Sequence, residues 1–230
     1  MLTLPDFDVA PYRLSGVVVA ALLNHRPQWT ALGEAAHLPP YKAPARAPVL
    51  AIRPRNTLSG PNTHVEAGTD GLTVGASLAV VIGRTACRVA AAEALSCIAG
   101  YTIAVDLSVP HTSHYRPATR SRTRDRSCVL GPAVVPAAQV ATPDMLTVTV
   151  CVAGHVAQAT DTADRVRSVD QLLADVTEFM TLQPGDLLLL GESHAAPRAH
   201  AGDAVMVSVE GIGSLSFDLV ADVAELRSAA

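Results

Sequence analysis

Residues 72–86 read LTVGASLAVVIGRTA, and the apolar run within them constrains the fold more than any other segment. Its middle reads as a buried β-strand that leads into a turn at Gly83. Two small residues, Gly75 and Ser77, interrupt it at alternate positions. Residues two apart on a strand point to the same face, so this pair predicts a gap on one face of the strand. Whatever fills that gap decides whether the site beside it can hold a metal ion.

The rest of the chain supplies strands to pair with it. VVVAALL (17–23) and VLAIR (49–53) read as strands, separated by a loop that five prolines break up and that leaves room for at most a short helix. The turn-rich connection 53–71 is of a length that often carries function. RVAAAEALSCIAGY (88–101) predicts an alanine-rich helix stopped by Gly100, and TIAVDLSV (102–109) a returning strand. The charged stretch 110–128 predicts a mobile loop. LTVTVCVAG (146–154) with HVAQA predicts a hairpin turning at Ala153 and Gly154. Ser168 to Gln171 predicts a capping box that opens a helix over 167–180, with Leu172, Leu173, Val176, Phe179 and Met180 on its buried side. QPGD (183–186) is a turn, LLLL (187–190) a buried strand, and 204–220 a closing hairpin around Gly211 and Gly213.

Composition narrows the function classes. With 49% hydrophobic and 17% charged residues the chain is globular, and its net charge of −4 argues against a general nucleic-acid binder. No segment approaches the roughly 20 apolar residues of a membrane helix, and the acidic start has no signal-peptide pattern, so a cytoplasmic location is expected. The four cysteines show no zinc spacing and read as reduced thiols, two or three of them buried. The histidines show no ligand spacing. Neither a G-x-S-x-G elbow nor a phosphate-binding glycine loop occurs, which sets aside serine hydrolases and nucleotide binders.

The ordered segments IGRTACRVAAAEALSCIAGYTIAVD (82–106), TLQPGDLLLLG (181–191) and AGDAVMVSVEGIGSL (201–215) resemble the fumarylacetoacetate hydrolase family over roughly residues 17–220. LLNHRPQW (22–29), PYKAP (40–44), IRPRNTLSG (52–60), SHYRPATRSRTRD (113–125) and DTADRVRSVDQLL (161–173) further resemble the N-terminal half of its bifunctional decarboxylase/isomerase branch of 4-hydroxyphenylacetate breakdown. The resemblance implies a β-rich α+β fold: a mixed β-roll of the C-terminal-domain type with two or three packed helices. We expect residues 1–230 to form one such domain, with 1–16 an N-terminal extension and 221–230 a C-terminal tail.

The same resemblance implies a site. Family members usually bind Mg²⁺ or Mn²⁺ through two alternate strand glutamates and an aspartate, hard oxygens for a hard cation. The aspartate position here is Asp106, but the glutamate positions fall on Gly75 and Ser77. The general-base histidine position falls on Gln28. The expectation is therefore a degenerate, metal-free site. Arg53, Arg116 and Arg122 match basic family positions, and their guanidinium groups suit the carboxylates of a dicarboxylate or tricarboxylate substrate. Arg53, Arg122 and Asp106 are the catalytic candidates, and Gln158 matches a glutamine aimed at substrate. Glu192 and His194 replace a family threonine turn and, lying two apart, could form an acid/base pair. The implied reaction is decarboxylation of 5-oxopent-3-ene-1,2,5-tricarboxylate or isomerisation of 2-hydroxyhepta-2,4-diene-1,7-dioate. The alternatives are a non-catalytic partner of a metal-bearing homologue and, ranked last, an acylpyruvate hydrolase. A homodimer or heterodimer is the expected assembly.

Overall fold

The computed structural model describes residues 17–111, 113–114 and 119–222. Four strands, β1 (Val18–Leu22), β2 (Val49–Arg53), β3 (Leu58–Ser59) and β4 (His64–Ala67), precede the apolar run, which is β5 (Leu72–Ile82). β6 (Ile98–Ser108), β7 (Cys128–Leu130) and β8 (Val135–Pro136) follow it. The hairpin β9 (Thr147–Val152) and β10 (His155–Asp161) comes next, then β11 (Leu187–Leu189), β12 (Arg198–Ala199), and the hairpin β13 (Ala204–Val209) and β14 (Gly213–Ala221). The α-helices are short: α1 (Arg26–Leu32), α2 (Ala91–Ala94), α3 (Thr119–Arg122) and α4 (Val169–Thr177). The β-rich expectation holds.

The strands form two mixed sheets. A nine-stranded sheet runs β2-β1-β11-β5-β6-β7-β3, with β12 also paired to β5 and β8 to β6; a five-stranded sheet runs β10-β9-β13-β14-β4. Three pairs, β1 with β11, β3 with β7 and β14 with β4, are parallel. At the five-stranded sheet's edge, β10 shifts register against β9 between Val156 and Gln158.

Alternation along β5 and β6 separates two cores. Val74, Ala76, Leu78 and Val80 of β5, with Ile103, Val105 and Leu107 of β6, face the main core, which takes in Leu172, Val176, Val207 and Phe217. The opposite face packs Ala79, Val81 and Ala104 against Val18, Leu58, Cys128, Leu187 and Leu189 in a smaller core. Gly75, Ser77 and Asp106 belong to this second face, where it changes from apolar to polar. All four cysteines are free, with Cys97 and Cys128 buried, Cys151 half-buried and Cys87 exposed.

Several local expectations are corrected. The alanine-rich run forms only one α-turn, α2, and a 3₁₀ turn at Leu95–Cys97. So short a helix is marginal alone, and the long β5/β6 ladder takes Ile98 onward. Gly100 lies inside β6 and stops no helix. A Cβ there would sit 2.3 Å from Val135 O, so glycine permits the close approach of β8. Ser168 donates to the Asp170 carboxylate and forms no capping box. The Asp144 carboxylate instead accepts from Val169 N at 3.0 Å, capping α4 from a distant segment. Phe179 lies beyond the helix and is 66% exposed, whereas Leu172, Leu173 and Val176 are fully buried. Within 110–128, the segment expected to be a mobile loop, α3 ends in a buried Arg122.

Candidate functional site

β5 and β6 pair antiparallel along their length, with Gly75 opposite Asp106. The Asp106 side chain is 6% exposed, and its carboxylate is gripped from two sides. Arg53, the last residue of β2, brings Nη2 to 2.8 Å from Asp106 Oδ1, an ion contact outside hydrogen-bonding angles. The same Nη2 donates to Ser127 Oγ at 3.2 Å and to Leu107 O at 3.5 Å. Arg122, the last residue of α3, donates from Nη1 to Asp106 Oδ2 at 2.9 Å and from Nη2 to Glu192 Oε1 at 3.0 Å. The result is a row of alternating charges, Arg53, Asp106, Arg122 and Glu192, formally neutral and almost wholly buried.

The small residues at 75 and 77 now have a physical cause. A Cβ on Gly75 would lie 2.5 Å from Glu192 Oε2 and 2.7 Å from Asp106 O. The Glu192 carboxylate therefore occupies the space a side chain at position 75 would need. Ser77 Oγ donates to Leu78 O at 2.8 Å and accepts from Gly191 N at 3.0 Å, anchoring the turn that presents Glu192. That turn requires glycine, because Gly191 has φ +97° and a Cβ there would meet Ala21 O at 2.4 Å. From the other side Arg165 Nη1 donates to Gly191 O at 2.8 Å.

Electrostatics follow from burial. Desolvation pushes the Asp106 carboxyl up, Arg53 and Arg122 pull it back, and Glu192 adds to the rise. Burial alone would lower Arg122, but Glu192 and Asp106 outweigh it and the group is held above its ordinary value. Arg165, buried away from a carboxylate contact, is lowered to about 10 by desolvation. Cys128, opposite Asp106 in the ladder, is pushed up to about 12 by burial, so it stays a thiol and is no nucleophile.

The donor set does not fit a hard divalent cation. Position 75 offers no side chain, the Ser77 hydroxyl is engaged with backbone, and both Asp106 oxygens face guanidinium groups. Among the described residues no group of three or more His, Cys, Asp or Glu is placed to hold a metal.

The other anticipated residues are dispersed. Arg116 lies outside the described residues. Gln158 Nε2 donates to His194 O at 2.9 Å and Ala195 O at 3.1 Å, clamping that loop. Glu192 and His194 form no acid/base pair: the Glu192 carboxylate is paired with Arg122, and His194 is exposed while its N–H donates to His25 Nδ1 at 2.7 Å. Gln28 sits on α1 with Oε1 buried and without a partner. Sequence reasoning gave His25, Ser127 and Arg165 no role, and nothing local sets Arg165 apart from Arg167 or the aspartates of 161–173. It also passed over His114, which lines a cavity of about 230 Å³ with Leu23, Trp29, Tyr41 and Val49. Burial first, then His111 and Arg122, lower the His114 imidazole to about 4.

Residues 17–220 match the fumarylacetoacetate (FAA) hydrolase C-terminal family. The 4-hydroxyphenylacetate degradation bifunctional isomerase/decarboxylase of Escherichia coli is 38% identical over 208 residues, covering 90% of this chain and 48% of the relative. The chain thus spans about half the length of the curated relatives it matches first. The crystal structure of 5-carboxymethyl-2-hydroxymuconate delta-isomerase from Mycobacterium smegmatis superposes with a TM-score of 0.75 at 31% identity, covering 91% of this chain and 78% of that one. Fumarylpyruvate hydrolase from Pseudomonas aeruginosa, solved with Mn²⁺ and pyruvate, shares the fold at TM-score 0.78 and 20% identity, over 96% of both chains.

Proposed function

Since the chain belongs to the fumarylacetoacetate hydrolase C-terminal family, we propose that it is an enzyme subunit of 4-hydroxyphenylacetate catabolism. Its substrate would be a carboxylate-rich, enolisable 2-oxo acid: 5-oxopent-3-ene-1,2,5-tricarboxylate for decarboxylation, or 2-hydroxyhepta-2,4-diene-1,7-dioate for isomerisation. The similarity to bifunctional isomerase/decarboxylases along 90% of the chain supports this class. The observation that carries the site is the pair of buried guanidinium groups, Arg53 and Arg122, on either side of Asp106.

In decarboxylation the bond from carbon to the departing carboxylate breaks and CO₂ leaves. The electron pair moves through the conjugated double bond onto the 2-oxo oxygen, and a solvent proton later closes the carbon. The developing charge needs a fixed cation in a water-poor site, which a guanidinium supplies. Arg53 Nε and Nη1 and Arg122 Nε are buried donors without a partner, suited to an incoming anion. Arg122 Nη2 is held by Glu192, so substrate carboxylate would exchange with Glu192 there.

The test is the full chain, EDTA-treated, assayed with both substrates for CO₂ release and dienolate absorbance. Turnover should persist in EDTA, and Arg122→Lys should lower kcat/KM at least tenfold with the fold intact. Turnover abolished by EDTA would overturn the proposal. Silence of the lone chain, with gain on adding a metal-bearing homologue, would move it to the role of a non-catalytic partner.

A further inference from the structure

Apart from the charge row, one cavity joins an apolar wall to a buried nitrogen that has no partner. It holds about 230 Å³ between Leu23 just past β1, Trp29 and Leu32 of α1, Val49 of β2, and the side chains of Tyr41 and His114. The exposed Ala43 and Ala45 also line it. No charged residue among those described lines it, and Arg53, Asp106, Arg122 and Glu192 are not part of its wall. Trp29 Nε1 donates to Leu23 O at 2.6 Å, so the polar edge of the indole is engaged and the ring adds apolar surface. His114 N donates to Tyr41 Oη at 2.9 Å, and the His114 ring meets His111 edge-on with 5.6 Å between centroids. The imidazole is thereby fixed, and its Nδ1 is buried without a hydrogen-bond partner.

We propose that this cavity is a binding site for a small, neutral, hydroxylated ring of the phenol class. Apolar contact with Trp29 and its aliphatic neighbours holds the ring, and a hydrogen bond to His114 Nδ1 holds the hydroxyl. This inference does not rest on any reading of the reaction, and its test involves no turnover.

Size, polarity and charge each select that class. An apolar cavity of about 150 Å³ takes up benzene, so the space here suits a substituted ring of that size. With its imidazole lowered to about 4, chiefly by burial, His114 is neutral at pH 7. A neutral imidazole carries one donor and one acceptor nitrogen, and a hydroxyl can answer either, so the match holds for both tautomers. A buried nitrogen left unmatched is costly, which favours a ligand that brings a hydroxyl to it. A carboxylate would leave water for an apolar wall that offers no ion partner, which disfavours an anionic ring.

Trp29 is the only tryptophan of the chain, so its fluorescence reports this cavity directly. The experiment titrates phenol, toluene and benzoate separately into the full chain at pH 7. It follows Trp29 emission, excited beyond the absorption of the ligands, with calorimetry as an independent readout. Phenol should bind saturably with Kd of about 1 mM or tighter, ordinary for so small a ligand. Benzoate should bind about tenfold or more weakly than phenol, because its charge would lose water. His114→Phe keeps a ring of similar size without the nitrogen; it should weaken phenol about tenfold or more and leave toluene within about threefold. Ala45→Leu places added bulk at an exposed position of the wall, so it leaves the fold intact and should weaken phenol and toluene alike, about tenfold. Should His114→Phe be unfolded, Ala45→Leu decides in its place. Four results would each overturn the proposal: no saturable response to phenol, benzoate bound as tightly as phenol, a folded His114→Phe that binds phenol as wild type does, or binding indifferent to Ala45→Leu.

Discussion

Replacing Arg53 by Met tests whether the row of charges is energetically real. The Arg53 side chain is 0% exposed, and its Nη2 alone contacts Asp106 Oδ1, Ser127 Oγ and Leu107 O. Met keeps much of the hydrocarbon stem and removes only the charged fork. Asp106, Arg122 and Glu192 would then carry one unbalanced negative charge in a buried site. Breaking a buried pair by removing one partner costs about 3–5 kcal/mol. For a chain of this size each kcal/mol lowers Tm by about 2–4 °C, so the variant should melt about 6–20 °C below wild type. Differential scanning calorimetry at pH 7 reads this directly. The double change Arg53→Met with Asp106→Asn should recover much of the loss, since removing both charges leaves neither unpaired. The pH dependence supplies a second check. Asp106 is already raised by burial, and losing Arg53 raises it further. A carboxyl whose folded pKa exceeds its unfolded one gives stability that is present at low pH and lost as pH rises through the folded value. The gap between variant and wild type should therefore narrow as pH falls toward the ordinary carboxylate range. A drop of less than about 2 °C, well below what loss of a buried partner costs, or a gap constant with pH, would refute the reasoning.

Three further outcomes follow from particular residues. Phe179→Ala should cost less than about 0.5 kcal/mol in urea unfolding because Phe179 is 66% exposed, whereas the buried Leu172→Ala should cost about 2–5 kcal/mol. Gly75→Ala should destabilise by about 1–3 kcal/mol, since its Cβ would meet Glu192 and the Asp106 backbone; adding Glu192→Ala should recover part of that, measured by the same melt. His114 is lowered to about 4, so the unfolded chain binds more protons between that value and 6.5, and wild type loses stability across this range on acidification. Melting curves of His114→Gln should show a shallower acid loss there.

How much of this was legible in the sequence depended on whether the cause was local. The alternation of β5, the Ala153–Gly154 hairpin turn and the buried stripe of α4 are written in neighbouring residues, and all three are found in the structure. The partnership of Gly75 with Glu192 is not local: it requires β11 to lie beside β5, a pairing that no spacing in the sequence announces. Asp144 capping α4 is hidden for the same reason, the cap lying on another segment. Arg122 stands out among the five arginines of 116–126 by its match to a basic family position, but that it is held between two buried acids is visible only in the fold. Phe179 had the right period but fell two residues past Thr177, the buried last residue of α4.

The placement of β11 also governs when the protein can become itself. β11 lies between β1 and β5, pairing with residues 18–20 and 79–81 of the first half of the chain, and Glu192 follows it by three positions. On its β1 side the hairpin of β1 and β2 reaches the β5/β6 ladder only through residues 187–189, whereas β3, five residues after Arg53, reaches β6 through β7 from the other side. A chain leaving the ribosome would therefore hold this sheet open at the β11 position through most of its synthesis. Such long-range closure is slow, because loop entropy is lost before the contacts that compensate it are made. The charge row is completed in that same late event, because Glu192 is the last of its four members to be made and balances the second of two arginines that share Asp106.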